Sequence, residues 1–184
     1  MLNLLKMKHV LAAASCKSSS SEAIASIFLS DDRTQTQIFK IEWHEGNHAR
    51  YCLYYASLLE TFFSRYCTDI YDRKFIIRLW ISSGTKVLEC AINATMLAIF
   101  DSGISISDIF VALQQDDTLR VYNKKDEPVF ELHDEIFSSS EDKSDISKKH
   151  LTAKEIRQKM IFEIENKFTF KLCTFNFQYL ELFY

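Results

Sequence analysis

The chain has 184 residues, 47% hydrophobic and 26% charged, which supplies apolar material for a core and excludes a disordered tail. A formal charge of −3 excludes a global basic field, so any nucleic-acid contact must come from a local patch. The 3 glycines (Gly46, Gly84 and Gly103) and 1 proline compare with roughly 13 and about 9 in an average chain of this size, and the glycines are too dispersed for a dinucleotide fingerprint or a P-loop.

Residues 1–40 hold two short apolar runs, 10–14 and 23–29, separated by Ser18 to Ser21 and by Asp31, Asp32 and Arg33, which reads as strands joined by polar turns. Residues 11–16 have the outline of a lipoprotein cleavage box. Lys6, Lys8 and His9 break the apolar stretch before it, leaving too short a segment for an export signal. No apolar run approaches the ~18 residues of a membrane span. The expectation is a soluble intracellular protein whose five scattered cysteines (Cys16, Cys52, Cys67, Cys90, Cys173) stay reduced.

Residues 38–43 alternate Ile38, Lys40, Glu42 against Phe39, Ile41, Trp43, the period of a half-buried strand. Over 50–67 the period lengthens, and Leu53, Ala56, Leu59 or Glu60, Phe63 and Tyr66 make the core face of a helix. Residues 74–81 alternate again, with Phe75, Ile77, Leu79 and Ile81 on one side. A second helix follows, with Ser82 or Ser83 as its cap, an apolar face over 87–100 and Gly103 as a left-handed C-terminal stop. Its small residues Ala91, Ala94 and Ala98 allow close approach to a sheet. Residues 108–113 read as a strand, and 119–122 and 129–132 as two weak strands in a polar region. Residues 138–150 are expected to be a mobile loop. Thr152 with Glu155 is a capping box, and Ile156, Met160, Ile164 and Phe168 give a terminal amphipathic helix. The aromatic tail 169–184 is expected to be an extra strand.

One motif suggests metal chemistry. His44, Glu45, Gly46, Asn47 and His48 spell H-E-x-x-H, in which two His one helical turn apart hold zinc and the Glu acts as base. The motif straddles a strand-to-helix junction, Gly46 and Asn47 are a turn pair, no third His follows at suitable spacing, and Cys52 could be a third ligand only if the helix began by Trp43. A zinc metallohydrolase is therefore the weakest reading. Acidic pairs at Asp116–Asp117, Asp126–Glu127 and 131–135 could hold Mg²⁺ or act as acid and base, but in a turn-rich region they read as solvated charge. The local basic groups, Lys124–Lys125, Lys148–Lys149, Arg65, Arg73, Lys74 and Arg78, read as surface.

The run 57–113 resembles the RNase PH-like family. Leu58, Leu59 and Glu60 are followed by Tyr71, Asp72 and Arg73, the strand 75–81, and then the helix from Cys90 through Asn93, Ala94, Leu97, Ala98 and Asp101 to Gly103 and Ile104, with Asp108 beyond. The resemblance implies an α+β fold, RNase PH-like (ribosomal protein S5 domain 2-like), as a single domain over 1–184 with a mixed sheet packed by helices. It also implies a subunit of the exosome core ring, of the bacterial-enzyme-like branch. Active members hold phosphate with Arg and a glycine-containing loop, yet this chain has no glycine after Gly103. The expectation is a non-catalytic structural subunit without cofactor, metal or catalytic residues. Its partners would be other RNase PH-like ring subunits and single-stranded RNA threaded through the ring, with no membrane, in the nucleus (including the nucleolus) and the cytoplasm. The alternative is an active phosphate-dependent 3′–5′ exoribonuclease using the acidic segment 126–135.

Overall fold

Period-two apolar runs build a five-stranded sheet from β1 (Leu2–Leu5), β2 (Ala12–Lys17), β3 (Glu22–Leu29), β4 (Phe39–Glu45) and β5 (Phe75–Ile81), in the order β1-β2-β3-β5-β4. The computed structural model describes residues 2–5, 10–18, 21–32, 34–45, 49–68, 73–82, 84–115, 118–133 and 152–180, with backbone alone for 2–5, 45, 49–51 and 168–180. Neighbouring strands are antiparallel except β4 and β5, which run parallel and are joined by α1 (Ala49–Tyr66). A parallel pair cannot be closed by a hairpin, so the helix between them is a topological necessity. Phe75, Ile77, Leu79 and Ile81 are buried as their alternation predicts, alongside Phe39 and Ile41 of β4 and Ala23, Ala25 and Ile27 of β3. Cys16, at the end of the cleavage-box outline, is a buried residue of β2.

The central helix, α2 (Val87–Ser102), is buried at every position from Leu88 to Ile99. A helix apolar all round must be covered on all sides. The five-stranded sheet covers one side, and the other is covered by β6 (Val111–Gln115) and α3 (Ala153–Leu180). Ala91, Ala94 and Ala98 are each fully buried, and their lack of bulk permits this sandwich. Gly103 ends the helix at φ 73°, with its N–H donating to the Phe100 carbonyl. The expected serine cap does not form. Lys86 occupies the cap position without a side-chain bond, Ser82 Oγ instead bonds the backbone of Glu22, and Ser83 lies outside the described residues.

β6 heads a second antiparallel sheet, β6-β7-β8, with β7 at Thr118–Tyr122 and β8 at Pro128–His133. The strand expected at 108–113 begins three residues later, because Asp108 turns the chain: its Oδ1 accepts from the N–H groups of Ile109 and Lys124. Thr152 and Glu155 form the predicted reciprocal box at the start of α3, with Glu155 Oε2 2.8 Å from Thr152 N and Thr152 Oγ1 3.3 Å from Glu155 N. The expectation of a strand over 169–184 is overturned, since α3 continues to Leu180, while 181–184 lie outside the described residues. Aromatic content favours strands only where a sheet edge is there to receive it, and the backbone here carries on its own helical bonds. The segment 138–150 also lies outside the described residues.

The core face of α1 needs correction too. Tyr55, Ala56, Leu59, Phe62 and Phe63 are buried, whereas Leu53 is 82% exposed. Phe62 explains the rotation, because its ring packs against Phe110 and Phe130 and draws that face of the helix toward the second sheet. One apolar cluster therefore runs from β3 through α1 and α2 to Leu119 and Val121 of β7.

Candidate functional site

His44 and Glu45 lie in strand β4, so the one-turn helical spacing of a zinc motif is not present there. His48, Gly46 and Asn47 lie outside the described residues. The His44 ring stacks on Trp80, the residue opposite it on β5, with centroids 4.5 Å apart and planes at 17°. Among the described residues no group of three His, Cys, Asp or Glu side chains converges as a metal site would require.

The acidic segments separate in space and in role. Asp126, at φ 63° in the β7–β8 turn, accepts from Arg157 Nη1 at 2.9 Å, while Arg157 Nη2 donates to the Asn123 carbonyl at 2.6 Å. Buried Arg157 thus pins the turn to α3. Glu131 accepts from Arg120 Nε and Nη2 at 3.0 and 2.9 Å across the β7–β8 pair, and His133 stands beside it. The Arg120 hydrogen bonds hold the Glu131 carboxyl below its ordinary value, and the same bonds raise the guanidinium. Asp116, Asp117, Asp134 and Glu135 lie outside the described residues, as do Lys148 and Lys149. Of the basic groups, Arg65 and Arg73 lie over the Tyr66 and Phe75 rings, and Arg78 Nε donates to Glu42 at 2.7 Å. Lys167 of α3 pairs with Asp101 at the end of α2.

Two strand edges are closed by helix side chains, a feature that periodicity does not predict. On α1, Glu60 Oε1 accepts from Ile41 N at 2.7 Å and Ser64 Oγ from Phe39 N at 3.2 Å, along β4, the last strand of its sheet. On α2, Glu89 Oε2 accepts from Gln114 N at 2.7 Å, and Asn93 exchanges two bonds with the backbone of Ala112 at 2.9 and 3.0 Å, along β6. Both pairs are four apart on the helix and two apart on the strand. Four helical residues rise about 6.0 Å and two strand residues about 6.6 Å, so the donors and acceptors fall in register. Asn93 reaches out of its own helix to β6. The sequence signal for this arrangement is a polar residue on an otherwise apolar helix face, seen at Asn93 and missed at Glu60, Ser64 and Glu89.

Cys16 and Cys90 are buried and free, with Cys90 Sγ donating to the Ser21 carbonyl at 3.6 Å. The hydrogen bond shared with Cys90, together with burial, pushes the Cys16 thiol up, which keeps it protonated.

No helix among the described residues is long and apolar enough to cross a membrane. No family model matches the sequence, and no curated relative matches it. Among solved structures, the chain is similar to the crystal structure of rice (Oryza sativa) Rrp46, with a TM-score of 0.59 over 72% of this chain and 79% of that chain. Identity over the match is 13%, so the likeness is one of fold. It bears out the α+β, RNase PH-like fold read from residues 57–113.

Proposed function

We propose that this chain is a non-catalytic structural subunit of the exosome core ring, of the bacterial-enzyme-like branch. It would assemble with other RNase PH-like subunits around a channel for single-stranded RNA, in the nucleus, nucleolus and cytoplasm. The fold shared with rice Rrp46, an RNase PH-like exosome subunit, supports ring membership, and the residues from Cys90 to Ile104 support the branch.

The observation that carries the non-catalytic reading is the state of two arginines. Phosphorolysis needs cations and backbone N–H groups aimed at the attacking phosphate. After Gly103 the sequence contains only Arg120 and Arg157 as arginines. Arg120 is held by Glu131, and Arg157 by Asp126 and the Asn123 carbonyl. Each guanidinium is thus committed to a structural partner that a phosphate would have to displace.

Affinity purification of the tagged full chain with mass spectrometry tests ring membership: RNase PH-like subunits are expected in the eluate, and recovery of the chain by itself would sink the reading. For catalysis, the isolated protein should release no nucleoside diphosphates from single-stranded RNA with phosphate, whether or not Mg²⁺ is present. The double change Asp134→Ala, Glu135→Ala should leave the activity of an assembled ring unaltered. If it abolished phosphate-dependent degradation in an intact ring, the exoribonuclease reading would take its place.

A further inference from the structure

The face of the five-stranded sheet turned away from α1 and α2 carries an arrangement that neither the fold nor the ring reading uses. By strand alternation it presents Lys40, Glu42 and His44 from β4, Trp80 and Arg78 from β5, and Ile24 and Phe28 from β3. Trp80 is 53% exposed although it lies on the strand next to the sheet edge. Burying an indole is strongly favourable, so an indole left half in water on a regular strand is an unfilled contact. His44 stacks on it nearly parallel and is itself exposed, which braces the indole upright on the sheet.

Charge stands beside the stack. Arg78, two residues from Trp80 on the same face, lies over the Phe28 ring at 4.7 Å and gives its Nε to Glu42. Among the described residues nothing takes its two Nη groups. Lys40 is exposed one strand away. A protein partner would favour a continuous apolar centre with charge at its rim. Here the aromatic stack stands beside the Arg78–Glu42 pair and Lys40, while Ser26, opposite Arg78, is buried. An exposed aromatic stack with cations beside it suits unpaired nucleobases and their phosphates.

We infer that Trp80, braced by His44 and flanked by Arg78 and Lys40, is a stacking platform for an unpaired nucleobase of a single-stranded nucleic acid. The inference deepens the ring reading by naming a contact with the strand, but it concerns the free chain and is tested there. The probes are fluorescein-labelled oligo-rU, oligo-dT and a duplex RNA of equal length, titrated with dilute full-length protein at low salt and read by anisotropy. Both single strands are expected to bind ahead of the duplex, and preference for oligo-rU over oligo-dT would assign the strand as RNA. Trp80→Ala should weaken that binding by at least about 5-fold, the lower end for loss of one base–aromatic stack. His44→Ala should weaken it less.

The chain has two tryptophans, so Trp43→Phe leaves Trp80 as the sole indole. Its fluorescence should be quenched on adding oligo-rU. The inference is overturned if Trp80→Ala, folded by circular dichroism, binds like the parent, or if duplex RNA binds as well as the single strands. It is also overturned if Trp80→Ala blocks ring incorporation while RNA binding is unchanged, because the face would then be a protein contact. Failure of the chain to co-purify with ring subunits would sink the ring reading and leave the anisotropy result standing.

Discussion

On α1, Glu60 and Ser64 reach the edge of β4 from a half-buried helix face; on α2, Glu89 and Asn93 reach the edge of β6 from buried positions. The geometry is the same, four residues on a helix matched to two on a strand. The surroundings differ. Asn93 is 1% exposed between two sheets, whereas Glu60 and Ser64 are half-buried. The amides are buried at both edges. If the acceptor is removed beside α1, water can enter along the half-buried helix face and replace it. Beside α2 the amide is left unpaired and pays the full cost of desolvation. The depth of the contact, more than its hydrogen-bond count, therefore decides its contribution to stability.

Asn93→Ala breaks the comparison most directly. It strands the Ala112 N–H and C=O in the core, and each unsatisfied group costs about 1–3 kcal/mol, so denaturant unfolding should show a loss of about 3 kcal/mol. Glu60→Ala removes a charged acceptor at the half-exposed edge and should cost about 1.5 kcal/mol by the same measurement. Gly103→Ala probes the end of α2 without touching either edge. A Cβ there meets nothing within 4 Å, so the loss reflects only the positive φ, about 1 kcal/mol in thermal unfolding.

The smallest effect belongs to the exposed pair Arg120 and Glu131. The Glu131 carboxyl is held below its ordinary value in the folded protein, so its contribution is present above the unfolded-state pKa and is lost as pH falls through the folded one. Thermal scans should show Glu131→Gln slightly less stable than the parent at neutral pH, with the two converging below about pH 4.3, the ordinary Glu value, so that the variant has the flatter acid limb. A steep difference at neutral pH would mean that the second sheet depends on this pair far more than its exposure allows.

Much of this was legible in the sequence, and the failures share a cause. The strands of Phe75 and Phe39 declare themselves by alternation, α2 by its small residues and its closing glycine, and α3 by its capping box. All of these are local patterns. Leu53 was misjudged because Phe62 finds partners on the second sheet, a contact between distant segments that no helical period records. The tail of α3 was misjudged because aromatic content was given more weight than the absence of a strand to pair with. His44 looked like half of a zinc motif because a motif read as letters carries no information about the strand beneath it. Alternation puts Trp80 on the side of its strand opposite Phe75, Ile77, Leu79 and Ile81, but its stack with His44 depends on the parallel pairing of β4 and β5, which only the fold reveals.

The closure of β6 by α2 has a consequence for how this molecule breathes. Edge amides normally trade their protons with solvent quickly, since fraying of the last strand exposes them. Those of Ala112 and Gln114 sit on the edge of their sheet, yet their acceptors are side chains of a helix that is itself buried. Their exchange should require displacement of α2, an opening near the global unfolding event, so both should be protected like amides of the central strands. In exchange terms, the boundary of this small sheet belongs to the slowest cooperative unit of the protein.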